Sequence, residues 1–259
     1  MELKLNISPC PNDTFMFDAM LNGRIDTEGL TFSAEYRDIE ELNREAAAGL
    51  PDASKISCAA LPSIAGAYRL SDSGAALGRG NGPLLVRRAG DDAPIRRIAV
   101  PGLRTTANAL VERLFPEIGE RVPMLFSEIA AAVERGEFDA GVLIHEGRFV
   151  YSRRGLELVA DLGIEWERRT GLPLPLGGIV VRRSLPDEVF RRFERVLRRS
   201  IEYAFARPSE SRDYIKAHAQ ELEDEVIDKH IALFVNEYSL SLGNEGRAAI
   251  EALTGTNAF

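Results

Sequence analysis

Long apolar runs, cysteines and a surplus of basic residues are all scarce or absent in this 259-residue sequence. No apolar run approaches the ~18 residues that a membrane-spanning helix needs, so we expect no membrane partner. The two cysteines are too few for a disulfide framework or a four-thiolate zinc site. Acidic residues outnumber basic ones by 40 to 32, and the net charge of −8 argues against a nucleic-acid partner, because binding phosphates needs a basic surface.

The sequence also lacks the patterns that bind cofactors and metals. No Gly-x-Gly-x-x-Gly or Walker loop is present, so we expect no nucleotide cofactor. The three histidines lack the helical spacing of a metal site and the two cysteines lie far apart, so we expect no metal. The segment 1–7 has no basic head followed by an apolar stretch, which predicts a cytoplasmic protein without a signal peptide.

Short apolar runs alternate with longer helical patterns along the chain, and 45% hydrophobic and 28% charged residues are typical of a globular protein. The predicted strands are 3–7, 30–36, 53–57, 83–86, 95–100, 138–144 and 177–181. The predicted helices are 14–21, 39–48, 59–68, 105–114, 129–135 (capped by Ser127), 187–206, 209–219, 225–240 and 244–253. This alternation predicts an α/β fold with parallel sheets that are covered on both faces.

Two breaks in the pattern divide the chain. The charged stretch 87–94 is typical of a connector, and the Gly- and Pro-rich stretch 171–178 is typical of a return crossing. We therefore predict two α/β lobes, the first formed by residues 1–88 together with 178–259 and the second by residues 89–177. The ligand is expected in the cleft between the lobes.

Polar residues follow four of the predicted strands, at the carboxyl ends where open α/β sheets bind ligands. They are Asn12, Asp13 and Thr14; Lys55 and Ser57; Thr105 and Thr106; and His145 and Glu146. Three of these groups open a helix, whose unpaired N–H groups suit a carboxylate. Each serine or threonine alone is better explained as a helix N-cap, but the four groups together indicate a binding cleft.

Thr105 and Thr106 are the sharper candidates for anion binding, because a hydroxyl pair on the first turn of a helix can supplement two backbone donors. Lys55 and Ser57 share a face if their strand is regular, so both are expected to point toward the cleft. The alternative for Lys55 is a solvated surface lysine.

Of the three histidines, His145 is placed like a catalytic group. It directly follows a strand of the fully buried type, and a general base is expected there because imidazole titrates near neutral pH. The alternative is a structural imidazole bonded to a loop carbonyl. His218 and His230 fall in polar helical stretches, which predicts exposed side chains. Cys10 is a potential nucleophile, but no histidine neighbours it in sequence, which favours a packed thiol.

The segment 166–178 alternates aliphatic residues with prolines, which predicts an extended and stiff conformation. Such a segment can line the cleft with aliphatic side chains. The alternative is a rigid crossover between the lobes, and the two roles are compatible.

Several pieces of the sequence occur together, in this order, in one known family. The pieces are Ser8-Pro-Cys-Pro-Asn-Asp-Thr-Phe-Met-Phe-Asp-Ala19, Lys55-Ile-Ser57, Thr105-Thr-Ala107, Ile144-His-Glu-Gly147, Thr170-Gly-Leu-Pro-Leu-Pro-Leu-Gly177 and Val235-Asn-Glu-Tyr-Ser-Leu-Ser-Leu-Gly243. Over nearly its whole length the chain therefore resembles the 1,4-dihydroxy-6-naphthoate synthase family of the futalosine route to menaquinone. The first and fifth pieces are long and specific.

The resemblance implies a two-lobed fold similar to the type 2 periplasmic binding proteins, with the ligand cleft between the lobes. It implies a lyase that converts cyclic dehypoxanthinyl futalosine to 1,4-dihydroxy-6-naphthoate, releasing dihydroxyacetone, without a metal or an organic cofactor. The family's proton acceptor matches His145. Its substrate contacts match Lys55, Ile56, Ser57, Thr105, Thr106 and Ala107, and the strand-end pattern adds Asn12 and Asp13.

Two alternatives stay open. The first is a non-catalytic solute-binding protein that captures a small carboxylate, although the lack of an export signal argues against it. The second is chorismate dehydratase of the same pathway, which shares the fold and acts on another carboxylate. In each case the expected partner is a small-molecule carboxylate, and the protein is expected to be a monomer or a homodimer.

Overall fold

Within the residues that the computed structural model describes, namely 1–80, 82–145, 147–219 and 223–256 without the side chains of residues 149 and 150, the chain forms two β-sheets with helices packed against them. The strands are β1 (Glu2–Ile7), β2 (Thr31–Tyr36), β3 (Ala53–Ser57), β4 (Tyr68–Leu70), β5 (Ala76–Gly78), β6 (Leu84–Arg88), β7 (Arg97–Val100), β8 (Glu120–Pro123), β9 (Ala140–Leu143), β10 (Leu156–Asp161) and β11 (Leu174–Arg182). The helices are α1 (Pro11–Leu21), α2 (Ile39–Ala47), α3 (Leu61–Ile64), α4 (Thr106–Leu114), α5 (Phe126–Glu134), α6 (Gly147–Val150), α7 (Leu162–Thr170), α8 (Asp187–Ala206), α9 (Arg212–His218), α10 (Asp224–Phe234), α11 (Glu237–Leu240) and α12 (Gly243–Thr254). Short 3-10 turns cover Cys58–Ala60, Tyr151–Arg154 and Pro208–Ser211.

Both sheets mix parallel and antiparallel strands. The first has the order β2-β1-β3-β11-β4, with β5 also paired to β11; β1 is parallel to β2 and β3, and β11 is antiparallel to its partners. The second has the order β10-β6-β9-β7-β8; β7 is parallel to its neighbours, and β6 is antiparallel to β9 and β10. The α/β class is confirmed, but the expectation of parallel sheets is wrong for β6, β10 and β11. Two strands of one sheet run parallel when a helical crossover connects them. β11 is not connected in this way, because the chain enters the first sheet at β11 from the second sheet.

The helices α1 and α5 begin earlier in the structure than the sequence predicts. α1 begins at Pro11 rather than Thr14, because proline suits a first-turn position, where no N–H partner is needed. Ser127 does not cap α5, since it lies inside the helix and Leu125 occupies the N-cap position. Each of these two helices therefore begins three residues before its predicted start, while the helices themselves are present.

Other predicted segments are divided differently in the structure. The predicted helix 225–240 is two helices, α10 and α11, because the Asn236 side chain caps the second one. The predicted helix 59–68 shrinks to a 3-10 turn and α3, and its last residue begins β4. The segment 166–178 is not extended throughout: α7, capped by Asp161, covers its first part and β11 its last. The strands β4, β5, β8 and β10 lie outside the predicted set.

The helix α8 is long and amphipathic, and it covers the first sheet together with α1. Its buried residues recur along one face: Val189, Phe193, Val196, Leu197, Ser200, Ile201 and Ala204. The apolar members of this face share one cluster with Leu3, Leu5 and Ile7 of β1. Along the described ranges, no helix has both the length and the apolar character needed to cross a membrane.

A second apolar cluster joins the two sheets. It contains Ile56 of β3 in the first sheet and Val142 of β9 in the second, together with Leu110 of α4. Trp166 of α7 is buried in the same cluster, and its indole N–H donates to the carbonyl of Pro173 at 3.1 Å. Because this core is shared, it holds the ends of β3 and β9 at a fixed separation, and the residues that follow these strands face a common space.

Candidate active site

A cavity lies where strands of both sheets end. It encloses about 660 Å³ of empty space, part of which is open to solvent. The predicted site residues that line it are Asn12, Lys55, Ser57, Thr105, Thr106, Ala107 and His145. The other two predicted residues, Asp13 and Ile56, do not line it. The structure thus brings polar residues from four separate chain segments to one cavity.

Lys55 and Asp13 form a buried ion pair beside this cavity. Nζ of Lys55 lies 3.0 Å from Oδ1 of Asp13, and the lysine side chain is only 7% exposed. Ser8 donates to Oδ2 of Asp13 from its N–H and from its hydroxyl. The alternative of a solvated Lys55 is therefore wrong. β3 lies inside its sheet, between β1 and β11, so its side chains are covered, and a covered charge needs a partner.

The alternation of β3 separates its predicted site residues. Lys55 and Ser57 line the cavity from one face of the strand, as their spacing predicts. Ile56 points to the opposite face and belongs to the apolar core. The resemblance implies a substrate contact for Ile56. In this structure only the backbone of Ile56 is near the cavity wall: its carbonyl oxygen would lie 2.8 Å from a Cβ atom added to the cavity residue Gly177.

Gly177 on β11 leaves room for the Lys55 side chain. A Cβ atom at this position would lie 2.9 Å from Cε of Lys55, closer than such contacts occur. Gly177 and its neighbour Leu176 both line the cavity. The expectation that the segment 166–178 lines the cleft therefore holds for these two residues.

The N-terminus of α4 opens on the cavity at Thr106 and Ala107. The first-turn N–H groups of a helix have no acceptors within the helix, and the positive end of its dipole attracts anions. The adjacent hydroxyl groups are engaged inside the protein: Thr105 accepts from the N–H of Asn108 at 3.2 Å, and Thr106 donates to the carbonyl of Leu176 at 2.7 Å. This helix end therefore presents backbone N–H groups rather than the hydroxyl pair that the sequence suggests.

His145 follows β9 and holds its ring at the cavity in an uncommon backbone conformation. Its φ is 53°, in the left-handed region that residues with a Cβ atom rarely adopt. The ring packs edge-on against Phe126, with centroids 4.9 Å apart, and lies nearly parallel to the ring of His230. Glu146, which the strand-end pattern groups with His145, lies outside the described residues. This placement suits a general base, and the chemical role itself stays a prediction.

Cys10 lies beside His145, although 135 residues separate the two in sequence. Its Sγ is 3.4 Å from Nδ1 and 3.7 Å from Nε2 of the imidazole. The thiol is buried at the N-cap position of α1, so the expectation of a packed cysteine is correct. No histidine is near Cys10 in the sequence, but His145 is near it in the fold, because sequence distance does not report spatial distance.

His230 is buried at 1% exposure and lines the cavity, whereas the sequence predicts an exposed side chain. The signal that reveals it is the spacing of the buried face of α10: Val226, Ile227, His230 and Phe234. Burial lowers the pKa of His230 well below its ordinary value, and the neighbouring His145, Lys55 and Arg148 act in the same direction. The ring is therefore neutral at physiological pH.

Arg148 of α6 is a cavity residue outside the predicted set. Its guanidinium donates to the carbonyl of Gly82 at 2.8 Å and lies 3.1 Å from Oδ2 of Asp161. Burial lowers the pKa of Arg148, and Asp161 opposes this effect. A signal for it in the sequence is its position one helical turn after His145. It adds a positively charged group to a cavity that is expected to take an anion.

The remaining histidine, His218, does not line the cavity. It is half-buried against the rings of Tyr36 and Tyr214, so the prediction of an exposed side chain is wrong here as well. Among the residues with described placement, no group of three or more His, Cys, Asp or Glu side chains is arranged to hold a metal ion.

Two mixed sheets with a shared core and a cavity at their strand ends define a periplasmic-binding-protein-like fold. Similar solved structures are the Candida albicans CA3427 gene product, described as having the generic periplasmic binding protein fold, and the ligand-binding component of an ABC-type import system from Staphylococcus aureus. Both have a TM-score of 0.72, with 12% and 14% identity, and cover 98% of this chain and 90% of theirs. At this identity the likeness concerns the fold alone, and it confirms the expected fold class.

Closer relatives identify the family. A family model described as menaquinone biosynthesis matches residues 3–258. Two curated relatives named 1,4-dihydroxy-6-naphthoate synthase, from Thermus thermophilus and Streptomyces coelicolor, are 45% and 43% identical over 97% of this chain and 92% and 91% of theirs. The structure of protein AF1704 from Archaeoglobus fulgidus has a TM-score of 0.92 and 36% identity, covering 97% of this chain and 95% of that one. This chain belongs to the menaquinone biosynthesis family, which confirms the resemblance carried by its motifs.

Proposed function

We propose that this chain is a 1,4-dihydroxy-6-naphthoate synthase, a carbon–carbon lyase that converts cyclic dehypoxanthinyl futalosine to 1,4-dihydroxy-6-naphthoate and dihydroxyacetone. Family membership supports the proposal together with one observation: the imidazole of His145 shares a cavity with the N-terminus of α4. A base and an anion-binding helix end in one cavity suit a substrate that carries both a removable proton and a carboxylate.

In this reaction His145 acts as the general base. It accepts a proton from a substrate hydroxyl, the C–O bond becomes a carbonyl, and the neighbouring C–C bond breaks. The electron pair of that bond passes into the ring, and the oxyanion that develops on the ring takes up a proton to become a hydroxyl of the product. Because the remaining electrons complete an aromatic ring, much of the driving force comes from the substrate. The enzyme supplies a positioned base and stabilisation of the developing negative charge. A general base contributes ~10²–10⁴-fold to the rate.

The substrate carboxylate binds at the N-terminus of α4, where the N–H groups of Thr106 and Ala107 point to the cavity end of the helix. Arg148 lines the same cavity, and its guanidinium is paired with Asp161. The ammonium group of Lys55 is paired with Asp13, so Lys55 contributes less through net charge than through its position in the cavity wall.

We also propose that the reaction needs neither a metal nor an organic cofactor. The support is chemical, since proton transfer and C–C cleavage with aromatisation require no external electron acceptor. A location in the cytoplasm and a monomeric or homodimeric state stay predictions from the sequence.

The experiment is incubation of the purified protein with cyclic dehypoxanthinyl futalosine and, separately, with chorismate. We expect naphthoate absorbance and dihydroxyacetone in equal amounts from the first substrate and no change in the second. Conversion of chorismate instead would identify a chorismate dehydratase. Tight binding of the futalosine derivative without any product would identify a solute-binding protein.

A further inference from the structure

The proposed general base has a second imidazole as its neighbour. The rings of His145 and His230 lie 6.0 Å apart between centroids, with their planes inclined by 21°. Both rings line the cavity. They come from different parts of the fold, His145 from the end of β9 and His230 from the buried face of α10.

A chain of hydrogen bonds determines which nitrogen of His230 carries its proton. Nδ2 of Asn12 donates to Oδ1 of Asp13 at 2.7 Å, and Lys55 lies 3.0 Å from the same oxygen. Because a carboxylate can only accept, the Asn12 amide is oriented with Oδ1 toward His230, 3.0 Å from Nε2. Nε2 of His230 is therefore the protonated nitrogen, and in a neutral ring Nδ1 carries only a lone pair.

That lone pair has no partner in the part of the chain that the structure describes. Nδ1 of His230 is buried and accepts no hydrogen bond there. Leaving a buried acceptor unsatisfied is costly, and native proteins rarely do so without a functional reason. The side chain of His230 belongs to the cavity lining, so a ligand that packs against this wall is the donor that the cavity can offer to Nδ1.

We propose that His230 contacts the substrate directly, its Nδ1 accepting a hydrogen bond from a hydroxyl group next to the one that His145 deprotonates. This inference rests on the proposed function, since the fragment released as dihydroxyacetone carries more than one hydroxyl group. The position also determines specificity. A carbonyl or ether oxygen placed there would meet a lone pair instead of a donor, so the site selects a hydroxyl-bearing substrate.

Substitution of His230 by Asn or by Gln distinguishes the roles of its two ring nitrogens. The Asn side chain ends near the position of Nδ1, and the Gln side chain reaches toward Nε2. His230→Asn therefore keeps an acceptor for the substrate, whereas His230→Gln keeps only the contact with Asn12. For cyclic dehypoxanthinyl futalosine we expect kcat/KM to fall about 10- to 100-fold in His230→Gln and no more than about 5-fold in His230→Asn. His218→Gln, at a half-buried histidine outside the cavity, is the matched control and should match the wild type.

Nitrogen-15 NMR of the histidine rings gives a readout that a merely structural role would not move. In the free protein we expect His230 as the neutral Nε2–H tautomer at neutral pH. The His145→Gln variant is expected to bind cyclic dehypoxanthinyl futalosine without consuming it. Adding this substrate to the variant should shift the Nδ1 resonance of His230 in the direction of hydrogen-bond acceptance. His218→Gln assigns the remaining signals by difference.

The outcomes distinguish this inference from the proposed function. If the wild-type protein forms no naphthoate, the proposed function is wrong, and the proposed role of His230 is wrong as well. With an active wild type, a His230→Gln variant at least as active as His230→Asn overturns the inference alone. So does an Nδ1 resonance that stays in place when substrate binds.

Discussion

At the scale of single residues, His145 combines a strained backbone with a ring at the cavity. A residue with a Cβ atom at a φ of 53° is held there by its surroundings, and such strain is concentrated at functional sites. The buried thiol of Cys10 and the ring of Phe126 contact the imidazole from two sides. The ring is thereby kept in one orientation, as a general base requires.

Replacing His145 by Gln tests its role as the base. We expect kcat to fall ~10²–10⁴-fold, because proton removal loses its acceptor, while the substrate dissociation constant changes little. Stopped-flow turnover and equilibrium binding of cyclic dehypoxanthinyl futalosine measure the two quantities. A variant that turns over at close to the wild-type rate would show that another group takes the proton.

His230 makes the stability of the protein depend on pH. Its pKa is lowered in the folded state, so below pH 6.5 the unfolded chain binds a proton that the folded protein does not. The unfolding free energy therefore falls as the pH drops below about 6.5, by at most about 1.4 kcal/mol per pH unit from this group. Urea unfolding of wild type and His230→Asn between pH 5 and 8 measures the difference. A difference that is constant over this range would contradict the prediction.

At the scale of elements, α4 is connected to the cavity wall through one hydroxyl group. Thr106 donates to the carbonyl of Leu176 on β11 and accepts from the N–H of Ala59 in the adjacent 3-10 turn at 3.3 Å. These two bonds fix the helix N-terminus against the first sheet. The orientation of its N–H groups toward a ligand depends on them.

Thr106→Val removes both bonds without changing the size of the side chain much. The carbonyl and the N–H are left without partners, which costs about 1–3 kcal/mol. We therefore expect weaker binding of carboxylate-bearing ligands and a lower unfolding free energy. Isothermal titration with 1,4-dihydroxy-6-naphthoate and urea unfolding measure these effects. Thr106→Ser keeps the hydroxyl and should restore both, and equal behaviour of the two variants would place the anion site elsewhere.

The contact between β9 and α5 depends on the absence of a side chain at Gly141. A Cβ atom there would lie 2.5 Å from Cγ2 of Ile129 and 2.8 Å from Cγ2 of Val133. β9 leads directly to His145, so the strand must pack closely on its helix for the site to form. This requirement is a matter of packing and not of backbone conformation.

Gly141→Ala is expected to lower the unfolding free energy by about 1–3 kcal/mol, because the added methyl group overpacks the β9–α5 contact. Gly119→Ala is the control, since nothing lies within 4 Å of a Cβ atom at that position. Urea unfolding compares the two variants. Equal stability of both would mean that the helix moves away from the strand at little cost.

At the scale of the whole molecule, Asn43 connects elements of both sheets. Its side chain accepts from the N–H of Ser57 on β3 at 2.8 Å and donates to the carbonyl of Arg104, between β7 and α4, at 3.3 Å. It is fully buried. Glu40 and Arg104 form an ion pair at 3.3 Å across the same boundary, but the arginine is half exposed to solvent.

Asn43→Ala should lower the unfolding free energy by about 1–3 kcal/mol and raise KM, since the cavity walls on the two sides lose their connection. Glu40→Gln, which weakens the exposed pair at the same boundary, should change stability by less than about 1 kcal/mol. Urea unfolding and steady-state kinetics check both variants. If Glu40→Gln lowers the unfolding free energy more than Asn43→Ala does, the exposed ion pair and not Asn43 is the stronger connection.

The division of the chain between two lobes stays a prediction, with residues 1–88 and 178–259 in one and 89–177 in the other. Strand pairing places the two passages of the chain between the sheets a few residues before the predicted boundaries. β6 begins at Leu84 and already belongs to the second sheet, and β11 begins at Leu174 in the first. We propose that the chain passes between lobes just before each of these strands.

Patterns that depend on neighbouring residues were sufficient to predict the α/β class, most of the helices and the cavity positions of Lys55, Ser57 and His145. Strand alternation and helix periodicity depend only on residues close together in the chain, so they can be identified from the sequence alone. The family motifs are local in the same sense. The face of α10 that buries His230 also follows this periodicity, although the polar composition of the segment obscures it.

Only the tertiary structure decided which distant groups meet. The contact of Cys10 with His145, the pairing of Lys55 with Asp13, the stacking of the two imidazoles and the direction of β11 all depend on how the chain returns between the sheets. Sequence separation carries little information about such contacts, because packing of the shared core determines them. The sequence thus determined the kinds of residues available for chemistry, and the packing of two sheets determined their partners.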